Sequence, residues 1–166
     1  MSGLEIERKF LVAKGGAYKQ AAVSSSRIKQ AYMPCDTATV RVRIRDGKAY
    51  LTIKSHSDEE GLTRYEFEKE ISVAEAEQLL KLCRGGMIDK RRYLVPAGSH
   101  TFEIDEFYGD NEGLVVAEVE LGSPGEPFDK PAFIGREVTG DKRFYNSNLM
   151  ANPFCAWRAT LPEEAR

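Results

Sequence analysis

Residues 4–12, Leu-Glu-Ile-Glu-Arg-Lys-Phe-Leu-Val, decide the fold through their alternation. Successive side chains of an extended chain point to opposite faces, so Leu4, Ile6, Arg8, Phe10 and Val12 share one side and Glu5, Glu7, Lys9 and Leu11 the other. The stretch reads as a β-strand with one ionic face. Taken alone, such a face is what a half-buried strand turns to water. The same device recurs, however, in Arg41/Arg43/Arg45, Arg64/Glu66/Glu68/Glu70, Lys90/Arg92, Glu103/Asp105 and Glu118/Glu120. The opposite parity of these segments is largely apolar: Val40, Val42 and Ile44, then Tyr65 and Phe67, Phe102 and Ile104, Val119 and Leu121. Periodicity alone leaves two facings open, an apolar lumen with charged outer walls or a charged lumen with an apolar exterior.

Further strands are expected at 27–33, 37–45, 48–54, 63–71, 87–95, 100–107 and 114–121, making about eight. Asp46-Gly47 between two β-rich runs signals a tight hairpin. Ser72 and Glu75 have capping-box spacing, which predicts a helix over 73–83 stopped by Gly85-Gly86. A second helix is expected from about 142 to 151, before Pro153, and the residues beyond Asn152 as a loose tail. No repeat or linker divides the chain, so the expected organisation is one domain over 1–152 with a C-terminal tail over 153–166. Eight mostly sequential antiparallel strands suggest a closed β-barrel of mainly β (α+β) class, because closure removes exposed edges.

Composition excludes several classes. The 166 residues carry 24 basic and 26 acidic side chains, a net charge of -2, without the basic excess of a nucleic-acid binder. No apolar run is long enough to cross a bilayer as a helix, and the N-terminus carries acids at once, so no membrane partner and a cytoplasmic location are expected. Cys35, Cys83 and Cys155 are odd in number and far apart, hence simple thiols. His56 and His100 lie far apart in polar stretches, which gives little support to a histidine metal site or nucleophilic triad.

A charged lumen is tolerable only when it is wet and its charges are matched. This sequence offers both signs. Arg41, Arg43, Lys54, Lys90 and Arg92 suit phosphate oxygens, the arginines as planar forks and the lysines as point charges. Glu5, Glu7, Glu118 and Glu120 suit a hard divalent cation, Mg²⁺ or Mn²⁺. The two sets together fit metal-assisted phosphoryl transfer, whose catalysis is chiefly positioning and charge stabilisation. Neither a P-loop nor a glycine-rich nucleotide motif is present.

Glu5-x-Glu7-x-Lys9 within EIERKFLV resembles the N-terminal signature of the CYTH, or triphosphate tunnel metalloenzyme, superfamily. Arg41/Arg43, the LTIK ending at Lys54, RYEFE, DKRRY, FEIDEF, AEVE and EVTGDKRFYNSNL follow in the order that family shows, from about Leu4 to Leu149. The resemblance implies an eight-stranded antiparallel tunnel with the charged parity inside and covering helices outside. It implies Glu5, Glu7, Glu118 and Glu120 as metal ligands, with Glu66, Glu68 and Asp105 as additional acidic tunnel residues. Lys9, Arg41, Arg43, Lys54, Lys90, Arg92 and Lys142 become phosphate contacts, with Arg143 a weaker candidate. Lys9 and Tyr32 are the catalytic candidates, and Glu103, Glu70 and Arg45 are of lower rank. The expected activity is hydrolysis of a triphosphate, inorganic tripolyphosphate first. The alternatives are an adenylate cyclase, a thiamine triphosphatase or a non-catalytic polyphosphate binder. A homodimer is the candidate assembly.

Overall fold

The structure, a computed structural model, describes residues 3–163. Eight strands form its frame: β1 (Gly3–Val12), β2 (Ser24–Met33), β3 (Ala38–Arg45), β4 (Lys48–Ser55), β5 (Thr63–Ile71), β6 (Arg84–Ala97), β7 (His100–Phe107) and β8 (Val115–Glu120). They hydrogen-bond in the order β5-β4-β3-β2-β6-β7-β8-β1, every pair antiparallel. The ring closes where β1 meets β5, from Gly3 opposite Glu66 to Ile6 opposite Thr63. The expected eight-stranded barrel is therefore what the chain forms. Asp46 and Gly47 both take positive φ, 51° and 77°, the geometry a two-residue hairpin between twisted strands requires.

The charged parity faces inward. Lys9, Arg43, Lys54, Lys90, Arg92 and Asp105 are all buried, Lys90 to 1% exposure. Outside, α2 (Val73–Leu80) lays Ala76, Leu79 and Leu80 over Val42, Ala49, Ile44 and Leu51 of β3 and β4. Its start is the expected capping box: Glu75 N donates to Ser72 Oγ at 3.0 Å and Ser72 N to Glu75 Oε2 at 2.8 Å. Elsewhere the outer apolar row of Ile6, Phe10, Phe102, Ile104, Ala117 and Val119 is covered by Tyr18 of α1 (Ala17–Ala21) and by Phe128, Phe133 and Ile134.

Four expectations need correction. The helix at 73–83 ends at Leu80, and Gly85-Gly86 does not stop it. These glycines, at φ 83° and 89°, lie in β6 where the pairing with β2 jumps from Gln30–Ile88 to Tyr32–Arg84, so they absorb a bulge that side-chain-bearing residues would strain. The helix expected over 142–151 is split into a 3-10 turn at Lys142–Phe144 and α3 (Asn146–Ala151), because Tyr145 is extended, φ −71° and ψ 131°, and places its ring near Lys9. A ninth strand, β9 (Ile134–Glu137), pairs with β1 at Phe10 and Val12; at four residues it is too short to show a period. The segment expected as a loose tail is packed through Phe154, Trp157 and Leu161, and its residues 164–166 lie outside the described residues.

In that segment α4 (Phe154–Trp157) sets Trp157 against Phe144 and Phe154, with ring centroids 5.2 and 5.1 Å away, and Leu161 joins them. The same cluster takes in Leu11, Ile88, Phe107 and Val116, which continue the inward rows of β1, β6, β7 and β8 beyond their charged residues. On this side of the barrel the interior passes from charge to an apolar floor, and the C-terminal segment seals that floor instead of covering an outer wall. Replacing Leu161 by alanine is expected to cost about 2 kcal/mol. Urea unfolding would show it as a lower midpoint at unchanged slope. A wild-type midpoint would mean that the segment contributes nothing.

Candidate active site in the barrel interior

Two joined cavities occupy the charged interior. The larger, about 310 Å³, is lined by Glu5, Glu7, Arg41, Arg43, Arg45, Lys54, Glu66, Glu68, Arg92, Glu103, Glu118 and Glu120. The smaller, about 40 Å³, shares Glu7, Arg41, Arg43, Lys54, Arg92 and Glu118 with it and adds Lys9, Tyr32, Arg64, Lys90, Tyr145 and Asn146. The barrel thus gathers nearly all the residues singled out in the sequence. Asp105 stands behind the lining, and Lys142 is exposed on its 3-10 turn and lines neither cavity.

Apart from Arg45, each cation of the lining is held by a named partner. Asp105 receives Lys90 Nζ at 2.6 Å and a fork from Arg92, Nε at 2.7 Å and Nη2 at 2.9 Å. Arg92 also pairs with Glu103. Burial alone would raise the Asp105 carboxyl, but Arg92 and Lys90 hold it down at about 2. Burial pulls the Lys90 ammonium down against the charge of Asp105. Asn146 Oδ1 accepts from Lys90 Nζ at 2.9 Å and from Gln30 Nε2 at 3.2 Å. Gln30, fully buried, also donates to the Tyr32 hydroxyl at 2.7 Å and accepts from Arg43 Nε at 2.8 Å. Burial, with Arg41 and Arg92 close by, lowers the Arg43 guanidinium to about 9. Arg41 Nη2 reaches Thr52 Oγ1 at 3.1 Å and Glu68 at 3.4 Å, while its Nε is buried with no hydrogen-bond partner among the described residues.

The four glutamates expected as metal ligands face the larger cavity, with Glu7 opposite Glu120 in the register. Glu5 accepts from Lys54 Nζ at 2.9 and 3.0 Å and from Arg64 Nε at 3.2 Å. Glu7 lies 3.5 Å from Arg64 Nη2, and Glu118 3.3 Å from Lys9 Nζ. Glu5 and Glu7 share Arg64 while Glu118 is drawn to Lys9, and among the described residues no three of His, Cys, Asp and Glu meet in ligating geometry. Burial, then the charge of Glu118, pushes the Glu7 carboxyl up to about 8. Glu118 would also be raised by burial, but Lys9, Arg92 and Lys90 keep it well below the usual range. Burial and Glu5 raise Glu120.

Sequence reasoning assigned no role to Arg64, Tyr145, Asn146 or Gln30. Arg64 was visible as the first member of the Arg64/Glu66/Glu68/Glu70 row. The others carry no period of their own, and only the folded chain brings Tyr145 and Asn146 from the start of α3 into the lumen.

Comparison with known proteins agrees with this geometry. The chain is 48% identical over 154 residues to an inorganic triphosphatase of Acetivibrio thermocellus, covering 92% of this chain and 96% of the relative. It is 36% identical over 151 residues to an inorganic triphosphatase of Nitrosomonas europaea, covering 87% and 95%. A solved inorganic triphosphatase structure superposes with a TM-score of 0.62 at 32% identity, covering 88% of this chain and 93% of the other. The CYTH domain model matches residues 3–145, and with a charged antiparallel barrel closed over that same span the chain belongs to the CYTH family.

Proposed function

We propose that this chain is a divalent-metal-dependent triphosphatase that cleaves inorganic tripolyphosphate to pyrophosphate and phosphate inside its barrel. One observation carries the reading: Arg41, Arg43, Lys54 and Arg92 line both cavities, with the carboxylates gathered in the larger and Arg41 Nε without a hydrogen-bond partner among the described residues. A buried unpaired donor costs about 1–3 kcal/mol, which an anion in the lumen removes. The triphosphatase names of the relatives support the same reaction.

The donor set fits Mg²⁺ or Mn²⁺. Glu5, Glu7, Glu118 and Glu120 offer only hard carboxylate oxygens, and Glu7, raised by burial and by Glu118, marks negative charge that a dication relieves. Such an ion, when bound, supplies Lewis-acid polarisation of the phosphoryl oxygens and neutralises their charge.

The chain's own residues do the rest. Arg41, Arg43 and Arg92 present forks to the phosphate chain, and Lys54 and Lys90 present point charges. Asp105, and Glu68 through Thr52, hold those cations in place before substrate arrives, the preorganisation on which electrostatic catalysis depends. The Tyr32 oxygen accepts from Gln30, which leaves its proton for a phosphate oxygen. Lys9, held near Glu118 and the Tyr145 ring, is the residue to which we assign stabilisation of the developing charge or positioning of the water. Water oxygen adds to a terminal phosphorus, the bridging P–O bond breaks, pyrophosphate departs, and the proton of the water passes to solvent.

Incubation with Mg²⁺ or Mn²⁺ and tripolyphosphate, ATP or thiamine triphosphate tests this. Phosphate and pyrophosphate in equal amounts from tripolyphosphate, in preference to the other two, is the expected result. Cyclic AMP from ATP would replace the reading with a cyclase, and preferred cleavage of thiamine triphosphate would reassign the substrate. No turnover of any of the three would leave a binding protein.

A further inference from the structure

Arg64 is a charged residue of the lumen that this mechanism does not use. Its side chain extends from the start of β5 and is 19% exposed. Nε donates to Glu5 Oε2 at 3.2 Å and Nη2 lies 3.5 Å from Glu7 Oε1, so one guanidinium spans both acids of the Glu5-x-Glu7 pair. Glu5 has Lys54 as a second partner; for Glu7, Arg64 is the ion-pair partner among the described residues. The guanidinium carbon also lies 6.0 Å from the Tyr145 ring centroid, and Lys9 Nζ lies 4.9 Å from the same centroid. Arg64 therefore touches the carboxylates and lines the smaller cavity among the phosphate-facing cations.

A dication on Glu5 and Glu7 needs the oxygens that Arg64 engages, because hard cations bind carboxylate oxygen directly and at short range. Guanidinium and metal compete for the same acceptors. Once those acceptors are neutralised, nothing holds the arginine to them, and the nearest remaining demand for its donors is an anion in the same cavity. Such an exchange links two ligands: metal on the carboxylates frees a fork for phosphate, and by reciprocity phosphate on the fork favours metal on the carboxylates.

Resting on the metal–triphosphate reading above, we propose that Arg64 is an exchange residue: it pairs with Glu5 and Glu7 until a divalent cation takes them, then turns to the triphosphate and so couples metal binding to substrate binding.

The test is made on the whole chain without turnover. Mn²⁺ is titrated calorimetrically into wild type, R64Q and R64K, and the imido analogue of tripolyphosphate is then titrated into each protein saturated with Mn²⁺. R64Q, freed of the competitor, is expected to bind Mn²⁺ roughly tenfold more tightly than wild type and the analogue roughly tenfold more weakly. R64K, which keeps a cation without the planar fork, should fall between them in both titrations. Its melting curve, with that of R64Q, verifies folding. Mn²⁺ affinity in R64Q equal to or weaker than wild type, in a folded protein, overturns the exchange, as does unchanged binding of the analogue. Wild type that takes up no Mn²⁺ removes the metal reading itself, and Arg64 with it.

Discussion

Glu7→Gln is expected to lower kcat for tripolyphosphate by about 10²–10³ while leaving the protein as stable as wild type or more so. Glu7 lines both lumen cavities, at the boundary between the carboxylate-rich section and the cation-rich one. Glutamine keeps the size and one acceptor but removes the charge that a bound dication requires. The lost activity should not be recovered by added Mg²⁺ beyond a partial effect on KM. Stability moves the other way because the carboxylate is buried beside Glu118 and Glu5, both of which oppose its ionisation. Gain of stability with loss of activity is the mark of a residue kept for chemistry. Steady-state phosphate release and a thermal melt on the same preparation measure both. Activity within threefold of wild type would remove Glu7 from the reaction.

The second large effect concerns stability. Asp105→Asn is expected to cost about 3–5 kcal/mol, because breaking a buried pair from one side leaves its partners uncompensated. Here Lys90 loses its carboxylate partner outright and Arg92 loses its buried one, keeping only Glu103 among the described residues, and both cations are buried with Asp105. The ionised carboxyl carries a pH signature as well. Its folded value, about 2, lies below the ordinary 3.8, so its stabilisation is fully present above about pH 4 and drains away as pH falls toward 2. That difference corresponds to roughly 2 kcal/mol. Wild type should lose about two-thirds of this increment between denaturant titrations at pH 5 and pH 2.5; Asp105→Asn should not lose it. Equal losses in both would assign the acid sensitivity to other carboxylates.

How much of this could be read beforehand follows from the kind of information involved. Strand positions and the inward charge were legible because period two is a local property, and six segments repeated it. The facing itself was not local: Arg41/Arg43/Arg45 reads the same whether it lines a lumen or meets water, and only the resemblance chose between them. The Gly85-Gly86 pair misled because glycine ends helices and bends strands for the same reason, its tolerance of positive φ. β9 and the C-terminal floor depend on groupings more than a hundred residues apart, Phe10 paired with Glu137 and Leu11 in one cluster with Trp157, which no short window contains. Lys142 entered as a phosphate contact through the resemblance of EVTGDKRFYNSNL, an order of residues along the chain that carries no side-chain direction; in the structure it is exposed on the 3-10 turn before Tyr145.

The apolar floor bears on how strongly charge is felt along the lumen. Toward Glu120 and Glu103 the cavity is wide and water screens each ion. Toward Phe107, whose ring lies 5.5 Å from Lys90 Nζ, the surroundings are hydrocarbon and the same charges act through a medium of low polarisability. The barrel therefore carries a dielectric gradient along its axis. A phosphate chain entering from the wet end is pulled more strongly with each oxygen that moves inward, so its depth and direction are set by the hydrocarbon behind the cations as much as by the cations themselves.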